Sequence, residues 1–483
     1  MTVQPSGTET RPASRLDRFF EISARGSTVG AEIRGGLVTF VAMAYIVILN
    51  PIILSSGTDV EGGTLPFGQV AAVTALTAGV MTILFGLVTR LPFAFAAGLG
   101  INSYLAVSVV GDVTWPEAMG LVLVNGLLIV LLAATGLRKL VFDAVPLQLK
   151  TAITVGIGLF IAFIGLVDAR FVTATGTGSP PVGLGTGGSV ATVPTLLFVV
   201  TLLLTAVLLV RKVRGAILIG LAAGTVLAIL VEAIWDLGPR VEDEAIDPQG
   251  WGLTVPELPS SLVSIPDLGL VGQVSLGSFE RIGALAATML VFTLLFTNFF
   301  DAMGTFTGLS REAGLADSRG DFPRLKSALV VEGLGAVAGG ATSSSSNTVF
   351  IESGAGIGEG ARTGLANIVT GGLFLLAMFF TPITTIVPTE VASASLVIVG
   401  ALMMAQIRHI DMNDFGVLLP VFLTIIVMPL TYSIANGIGA GFISWVVVQS
   451  LSGRARAISP LLWVVAAGFV VYFARGPVET LLG

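Results

Sequence analysis

The stretch SNTVFIESGAG, residues 346–356, decides the fold of this chain. Residues 348–351 are β-branched or aromatic and favour an extended backbone, whereas the small residues from Ser353 onward suit the start of a short helix. An extended piece that leads into a half-helix exposes backbone N–H groups, and a bilayer tolerates such backbone only around a protein-enclosed cavity. The stretch therefore predicts a broken membrane segment with Glu352 beside a binding cavity. The alternative is that Glu352 caps a helix whose glycines allow tight packing.

A second stretch, AAGLGIN at residues 96–102, has the same character, because small residues and glycines lead to Asn102. The two stretches occupy corresponding places, third among the apolar runs of each half of the chain. Two half-helices of this kind can point their positive dipole ends at one another in mid-membrane. We therefore expect Asn102 and Glu352 to lie in one cavity.

The composition is that of a membrane protein. Hydrophobic residues make up 54% of the 483 residues and charged residues 11%, against roughly 25% charged in an ordinary soluble domain. This balance excludes a soluble enzyme, a coiled coil and a disordered chain. The absence of cysteine excludes a disulfide scaffold and thiolate metal sites, and the single histidine, His409, excludes a histidine cluster. The 60 glycines favour closely packed and broken helices.

Fourteen apolar runs are long enough to span a bilayer or to form a broken span. The acidic, proline-containing residues 237–282 separate seven runs from seven, and an odd number per half inverts the second half relative to the first. A fifteenth run, 460–475, either spans the membrane or lies at its surface. The fourteen are 35–54, 68–89, 94–110, 116–137, 151–168, 191–210, 215–236, 283–309, 327–341, 347–358, 364–387, 391–407, 415–431 and 434–451.

The distribution of Lys and Arg supports this count. With a cytoplasmic N-terminus, alternation places every basic residue in an inner loop except Arg170, Arg240, Arg281 and Arg475, as the positive-inside rule requires. Residues 1–32 are polar and carry no apolar core, so they do not form a cleaved signal peptide. We expect a multi-pass protein of the cytoplasmic membrane whose first run acts as a signal anchor.

Three carboxylates fall within predicted spans, where an ionisable group is a functional candidate by default. Asp301 lies in FTNFFDAMGTFTG, residues 296–308, with Asn298 one turn before it on the same helix face. This amide and carboxylate, with Phe300 and Phe306 nearby, suit a flat ligand rich in hydrogen-bonding groups. Glu332 is equally consistent with a structural role.

Enzyme motifs are missing from the sequence. It contains no phosphate-binding loop and no metalloprotease helix motif, and the Gly-x-Gly-Asp of membrane aspartyl proteases is absent. His409 follows Arg408 at a predicted cytoplasmic end and is interpreted as a solvated residue. We expect a transporter that is not an enzyme and that uses no cofactor, no metal and no nucleic-acid partner.

Five stretches together resemble the nucleobase:cation symporters, in their AzgA-like branch of adenine, guanine and hypoxanthine permeases. The resemblance runs from about Leu16 to Phe473 in unchanged order. The stretches are GGLVTFVAMAYIVILNP (35–51), GLGINSYLA (98–106), FFDAMGTFTG (299–308), FIESGAGIGEGARTGL (350–365) and MPLTYSIANGIGAGFIS (428–444).

The resemblance implies an all-α, uracil-permease-like 7+7 inverted repeat of 14 segments, with short mid-membrane strands in segments 3 and 10. Residues 1–32 are then a cytoplasmic segment. Residues 33–141 and 283–388 form a core that carries the substrate, and residues 142–282 and 389–483 form a gate that includes the long outer loop. Purine uptake by proton symport would follow from the core sliding against the gate, and the gate domain would be the surface of a homodimer.

The resemblance also assigns residues. Asp301, Glu352 and Asn102 match the family's acidic and polar positions in segments 8, 10 and 3. The predicted proton-coupling residues are Asp301, Glu352 and Glu332, and the predicted stacking residues are Tyr45 and Phe300. The predicted substrate-binding residues are Glu352, Asp301, Asn102, Asn298, Phe350, Ile351 and Ser353.

The sequence departs from the branch pattern at Asn298 and Asn436, where aspartates are common in the branch, so the purine preference and the proton stoichiometry stay open. A uracil, xanthine or anion transporter of the same fold is the first rival. An anion carrier should lack a mid-membrane acid, whereas this chain keeps both Asp301 and Glu352. A channel and a membrane enzyme are further rivals, disfavoured by the paired broken segments and by the missing motifs.

Overall fold

The computed structural model describes residues 14–136, 145–176, 178–185, 188–190, 192–242, 245–259, 261–316 and 322–482. The side chains of residues 241, 242, 245, 246, 300, 307 and 475–482 are also outside the description. The predicted boundary at 141–142 and the predicted inner-loop residues Arg11, Arg138, Lys139 and Arg319 therefore lie outside the described residues.

Within those residues, ten helices are long and apolar enough to cross a membrane. Their bounds are Val29–Ser56, Phe67–Thr89, Trp115–Thr135, Leu147–Asp168, Val193–Val210, Ala216–Trp235, Ala284–Glu312, Gly364–Ile386, Thr389–His409 and Ile434–Ala457. Each coincides with a predicted run.

Among its described residues, the first half of the chain contains nine α-helices. The first span starts at Val29, six residues before the predicted run, because the Thr28 hydroxyl accepts a hydrogen bond from the Ala31 N–H at 3.1 Å and caps the helix. The helices are α1 (Arg15–Phe20), α2 (Val29–Met43), α3 (Ile46–Ser56), α4 (Phe67–Thr89), α5 (Leu99–Tyr104), α6 (Trp115–Thr135), α7 (Leu147–Asp168), α8 (Val193–Val210) and α9 (Ala216–Trp235). The strands are β1 (Phe95–Ala97), β2 (Val172–Ala174) and β3 (Val182–Leu184).

The described part of the second half of the chain also contains nine α-helices and a few short strands. Two short strands, β4 (Val241–Glu242) and β5 (Ala245–Ile246), lie in the long connecting segment, and β6 (Asn347–Val349) lies in the tenth segment. The helices are α10 (Ser278–Arg281), α11 (Ala284–Glu312), α12 (Leu325–Thr342), α13 (Ser353–Gly358), α14 (Gly364–Ala377), α15 (Thr389–Met404), α16 (Phe415–Leu430), α17 (Ile434–Gln449) and α18 (Pro460–Leu482). The fifteenth run is thus helical, and it packs against α17 and α11.

The two predicted broken segments are confirmed. The third segment is β1 followed by α5, and the tenth is β6 followed by α13. The two strands pair antiparallel, with Phe95 opposite Val349 and Ala97 opposite Asn347. The extended part begins one residue earlier than predicted and ends before Phe350, because residues 351–352 already form the turn that starts α13.

The outer edges of this strand pair are satisfied by side-chain hydroxyls. The Thr82 hydroxyl lies 2.9 Å from the Phe95 N–H and 3.0 Å from the Phe95 carbonyl, and the Ser353 hydroxyl accepts from the Ala94 N–H at 2.9 Å. An unpaired backbone group in hydrocarbon costs several kcal/mol. Thr82 and Ser353 therefore allow a two-stranded ribbon to exist at mid-membrane depth.

Close helix crossings surround the ribbon. The helix α4 packs along α14, and α6 packs along α12. A Cβ atom on Gly364 would overlap the Gly86 carbonyl, so glycine at this crossing lets two backbones touch. A second cluster of packing joins α7, α15 and α16. The predicted division of the chain into core and gate domains stays a prediction.

Candidate functional site

Glu352 lies at the start of α13, where the chain leaves the ribbon. Its Oε1 accepts a hydrogen bond of 2.5 Å from the Tyr45 hydroxyl, and Tyr45 is only 1% exposed. Tyr45 occupies the break between α2 and α3, so the first and tenth segments are joined at the ribbon. In the structure, the Tyr45 hydroxyl is thus a hydrogen-bond donor to Glu352. Stacking of the Tyr45 ring on a ligand stays a prediction.

Asp301 and Glu332 complete a group of three acids around the end of β6. Asp301 lies in the middle of α11, close enough to Glu352 and to Glu332 for their charges to interact. Glu332 is fully buried on α12, and its Oε2 accepts from the Val349 N–H at 3.3 Å. Its Oε1 has no partner among the described residues. The hydrogen bond from the Val349 N–H supports a structural role for Glu332. The Oε1 without a described partner is compatible with the predicted role in proton coupling.

Asn102 lies one turn into α5 and is fully buried. Its amino group donates to the Asn50 Oδ1 at 2.5 Å, whereas its own Oδ1 has no partner among the described residues. Asn298 resembles it, because its amino group donates to the Ser346 hydroxyl at 2.8 Å and its Oδ1 is buried without a described partner. In this structure both amides bring an acceptor oxygen to the surroundings of the ribbon, and the Ser346 hydroxyl, which can donate or accept, is also compatible with the reverse orientation of Asn298.

Further unpartnered polar atoms collect in the same elements. Native proteins pair the great majority of their buried polar atoms, so such a concentration indicates a place that takes up a polar ligand or water. Besides the two asparagine oxygens and the Glu332 Oε1, the set comprises the Ser103, Thr297 and Ser345 hydroxyls and the Asn347 Oδ1, whereas the Thr348 hydroxyl lies within reach of the Glu332 carboxyl group. Other unpartnered atoms, such as those of Asn125 and Glu390, lie in other elements.

The remaining predicted site residues are placed as follows. Phe350 is buried between the ribbon and α13, whereas Ile351 is 55% exposed. The Ser353 hydroxyl is held by the Ala94 N–H, which is a structural contact. The Phe300 side chain lies outside the described residues, and Phe306 stacks on Phe85 with ring centroids 5.8 Å apart, in the packing core.

One residue of this network was missed by sequence reasoning. Asn50 is fully buried in α3, and its amino group donates to the Thr74 hydroxyl at 2.8 Å and to the Ser344 carbonyl at 3.1 Å. The available signal was an asparagine inside an apolar run, directly before Pro51. A polar side chain in such a run needs a buried partner, and Asn50 finds its partners in segments 2 and 3 and in the turn before β6.

Two other features complete the picture. Among the described residues, no group of three or more histidine, aspartate or glutamate side chains could hold a metal ion. Asn436, the second departure from the branch pattern, lies away from the ribbon. It lines a cavity of about 420 Å³ together with Ser108, Tyr432 and Tyr472.

Comparison with known proteins adds the family. The family model described as "Permease family", the model of xanthine and uracil permeases, matches residues 30–440. The guanine/hypoxanthine permease PbuG of Bacillus subtilis (strain 168) is 36% identical over 464 residues, which cover 95% of this chain and 99% of that protein. The adenine permease AdeP of Escherichia coli (strain K12) is 33% identical over 468 residues, which cover 96% of this chain and 97% of that protein.

Among solved structures, the chain is similar to the transmembrane domain of the cyanobacterial bicarbonate transporter BicA. The TM-score is 0.59 at 16% identity, with 85% of this chain and 97% of that chain covered. Identity at this level shows the fold alone, and the fold is the predicted 7+7 inverted repeat. By the family model and by the near full-length relatives, the chain belongs to the nucleobase:cation symporter family.

Proposed function

We propose that this protein takes up purine nucleobases, namely adenine, guanine and hypoxanthine, across the cytoplasmic membrane by proton symport. The observation that carries the proposal is the concentration of acceptor atoms around the ribbon: Asp301, Glu352 and the free oxygens of Asn102 and Asn298. Purine bases carry ring N–H and exocyclic amino groups, so they supply the donors that these acceptors need. The relatives named as purine permeases support the same substrate class.

Glu352 is proposed to hold the base. A carboxylate that accepts hydrogen bonds from ring N–H groups binds a neutral flat ligand without needing a counter-ion. The Tyr45 hydroxyl occupies Glu352 Oε1, which leaves Oε2 for the ligand. Phe350, Ile351 and Ser353 adjoin Glu352 in the chain and are proposed to shape this side of the site.

Asp301 is proposed to carry the proton. It lies close to Glu352, so binding of the base at Glu352 and the charge at Asp301 affect one another electrostatically. Protonation of Asp301 from outside and release inside would couple uptake to the proton gradient. Glu332, whose charge also interacts with that of Asp301, is a second candidate for the same step.

The movement is proposed to be of the elevator type, with segments 1–4 and 8–11 sliding as a core and the gate domains pairing in a homodimer. Several polar contacts join the proposed core and gate. Some involve residues 237–282, such as the ion pair of Arg281 with Glu117, and two lie outside that segment. Arg214, between α8 and α9, pairs with Glu359 at the end of α13, and the Ser108 hydroxyl donates to the Tyr432 carbonyl. Each of these contacts joins a residue of the core to a residue of the gate. A core that slides along the gate therefore has to break them in each cycle.

Uptake into proteoliposomes tests the proposal. Labelled adenine, guanine or hypoxanthine should accumulate under an imposed proton gradient, a protonophore should abolish the accumulation, and sodium should leave it unchanged. If only uracil, xanthine or inorganic anions compete for uptake, the substrate assignment is wrong. Sodium-dependent accumulation at a constant proton gradient would overturn the coupling assignment instead.

A further inference from the structure

We propose that Asn50 is a positioning residue, which fixes the Asn102 amide so that its carbonyl oxygen, and not its amino group, faces the ligand. The site would then require a hydrogen-bond donor on the ligand at this point, namely the N–H of the five-membered ring that every free purine base carries. This inference rests on the proposed function and names the group that Asn102 recognises.

The orientation of the Asn50 side-chain amide is fixed by two neighbouring groups that can only accept a hydrogen bond from it. The Ser344 backbone carbonyl can only accept, so the atom of Asn50 that lies 3.1 Å from it must be the amino nitrogen. The Thr74 hydroxyl donates its hydrogen to the Val70 carbonyl at 2.6 Å. Its oxygen therefore accepts the second hydrogen of the Asn50 amino group, at 2.8 Å. Both donors of Asn50 are therefore used, and its Oδ1 must point the other way.

The orientation of Asn102 then follows. The Asn50 Oδ1 is an acceptor and needs a donor, which is the Asn102 amino nitrogen at 2.5 Å. Turning the Asn102 amide over would bring two carbonyl oxygens into contact in a buried site, which is repulsive. The Asn102 Oδ1 is consequently left as a fixed acceptor, fully buried and without a partner among the described residues.

The position of Asn102 puts this acceptor at the ribbon. Its N–H bonds to the Gly98 carbonyl, and the Gly98 N–H bonds to the Ser346 carbonyl at 2.9 Å, so α5 is tied to the tenth segment one turn away. Ser346 in turn accepts from Asn298. Asn298 is a useful contrast, because the Ser346 hydroxyl can donate or accept and so leaves the Asn298 amide free to turn.

A pair of isosteric ligands tests the inference. One ligand is a deazahypoxanthine that carries a five-membered-ring N–H, and the other has oxygen or sulfur in place of that N–H. Equilibrium binding of both is measured on detergent-purified protein. The wild type should prefer the N–H ligand by about threefold to tenfold, as expected for one neutral hydrogen bond.

Two substitutions at Asn50 separate orientation from packing. In Asn50→Leu the Asn102 amide is free to turn and donate, so the preference should fall to about one- to twofold. In Asn50→Asp the side chain still accepts from Asn102 but can donate at most one hydrogen bond in place of the two that reach Ser344 and Thr74, so stability should fall while the preference is retained. A merely structural Asn50 would make the two variants lose affinity for both ligands together, with no change in the ratio.

The ratio of the affinities for the two ligands also defines the control and the contrary outcomes. Asn367→Leu, at a buried asparagine on α14 whose amino group donates to the Phe93 carbonyl at 2.7 Å, should keep the wild-type ratio. If Asn50→Leu does not fold, Asn50→Ser, whose hydroxyl can donate or accept, releases the same constraint and decides in its place. A wild-type ratio in the releasing variant, or no preference in the wild type, overturns the inference. If the wild type binds no purine at all, the proposed function has failed instead.

Discussion

Two groups of buried carboxylates in this protein differ in what surrounds their oxygens. Glu32, near the start of α2, is fully buried, and its two oxygens accept the backbone N–H groups of Arg362 and Thr363 at 2.9 and 3.2 Å. Glu232, at the end of α9, likewise accepts from two backbone N–H groups and from the Trp251 indole. Each of these acids satisfies loop or turn backbone next to a helix end.

The acids at the ribbon are less completely bonded. Glu332 has one backbone donor at 3.3 Å and one oxygen without a described partner, and the Glu352 Oε1 has a tyrosine hydroxyl. Burying a carboxylate costs free energy unless hydrogen bonds replace its water. An open oxygen is not confined to the ribbon, because Glu390 on α15 pairs with Arg170 and has an Oε2 without a described partner. We therefore predict that acids such as Glu32 serve stability, whereas those at the ribbon serve a ligand or a proton.

The largest expected effect is at Asp301. Asp301→Asn removes the group that is proposed to carry the proton, so accumulation of purine against a gradient should be lost while binding and downhill exchange persist. Uptake with and without an imposed proton gradient, together with counterflow in the same proteoliposomes, measures this. Undiminished accumulation by the variant would remove Asp301 from the coupling step.

Glu352→Gln should have the next largest effect. The amide keeps the volume but loses the charge, so purine affinity should fall by about 1.5–3 kcal/mol, or roughly tenfold to a hundredfold. Folding should survive, since a neutral amide is easier to bury than a carboxylate. Equilibrium binding to purified protein measures the change, and an unchanged affinity would place the base elsewhere.

The matched substitution in the other group is Glu32→Gln. An amide can accept only through its oxygen, so one of the two backbone N–H groups should lose its partner, at a cost of about 1–3 kcal/mol of stability. The melting temperature in detergent should fall, and the purine affinity of the folded fraction should equal that of the wild type. A loss of affinity with unchanged melting would erase the distinction between the two groups of acids.

The smallest expected effect is a pH dependence at Glu21, near the start of the first span. Partial burial by itself raises the pKa of Glu21, but hydrogen bonds from Arg25 and Arg90 and the nearby Arg324 charge outweigh it, so this pKa lies below the ordinary 4.5. A lowered pKa stabilises the folded state above the unfolded value, and the stabilisation is lost as the pH falls through the folded pKa.

For such a partly exposed ion-pair cluster the contribution should stay below about 1 kcal/mol. The melting temperatures of the wild type and Glu21→Gln should therefore differ near neutral pH and should approach one another only as the pH falls below about 4.5. Curves that stay parallel over the whole range would show that Glu21 does not titrate in this way.

The ribbon could be predicted from the sequence because its local signals are strong. Residues 348–351 favour an extended backbone, and the glycines around residues 98–100 and 354–356 do not suit a plain lipid-facing helix. The acids were found for an equally simple reason, since a charge in an apolar run is conspicuous. Residues identified by such a local contrast do not depend on knowing the rest of the fold.

The partners of these residues could not be predicted, because they come from distant parts of the chain. Asn50 and Asn102 are joined only when segments 1 and 3 pack together, and Tyr45 reaches Glu352 across 307 positions. The bonding of Ser353 to Ala94 is likewise a tertiary contact, so sequence reasoning assigned Ser353 to the ligand without seeing its backbone partner. Pairings between segments are set by the fold, which no local pattern specifies.

The most direct test is a structure of the protein with a bound purine. The account predicts density for the base beside the β1–β6 ribbon, with a ring N–H within hydrogen-bonding distance of the Glu352 carboxylate and a donor facing the Asn102 carbonyl oxygen. A base bound elsewhere, for example in the cavity lined by Tyr432 and Asn436 with the ribbon acids untouched, would contradict it.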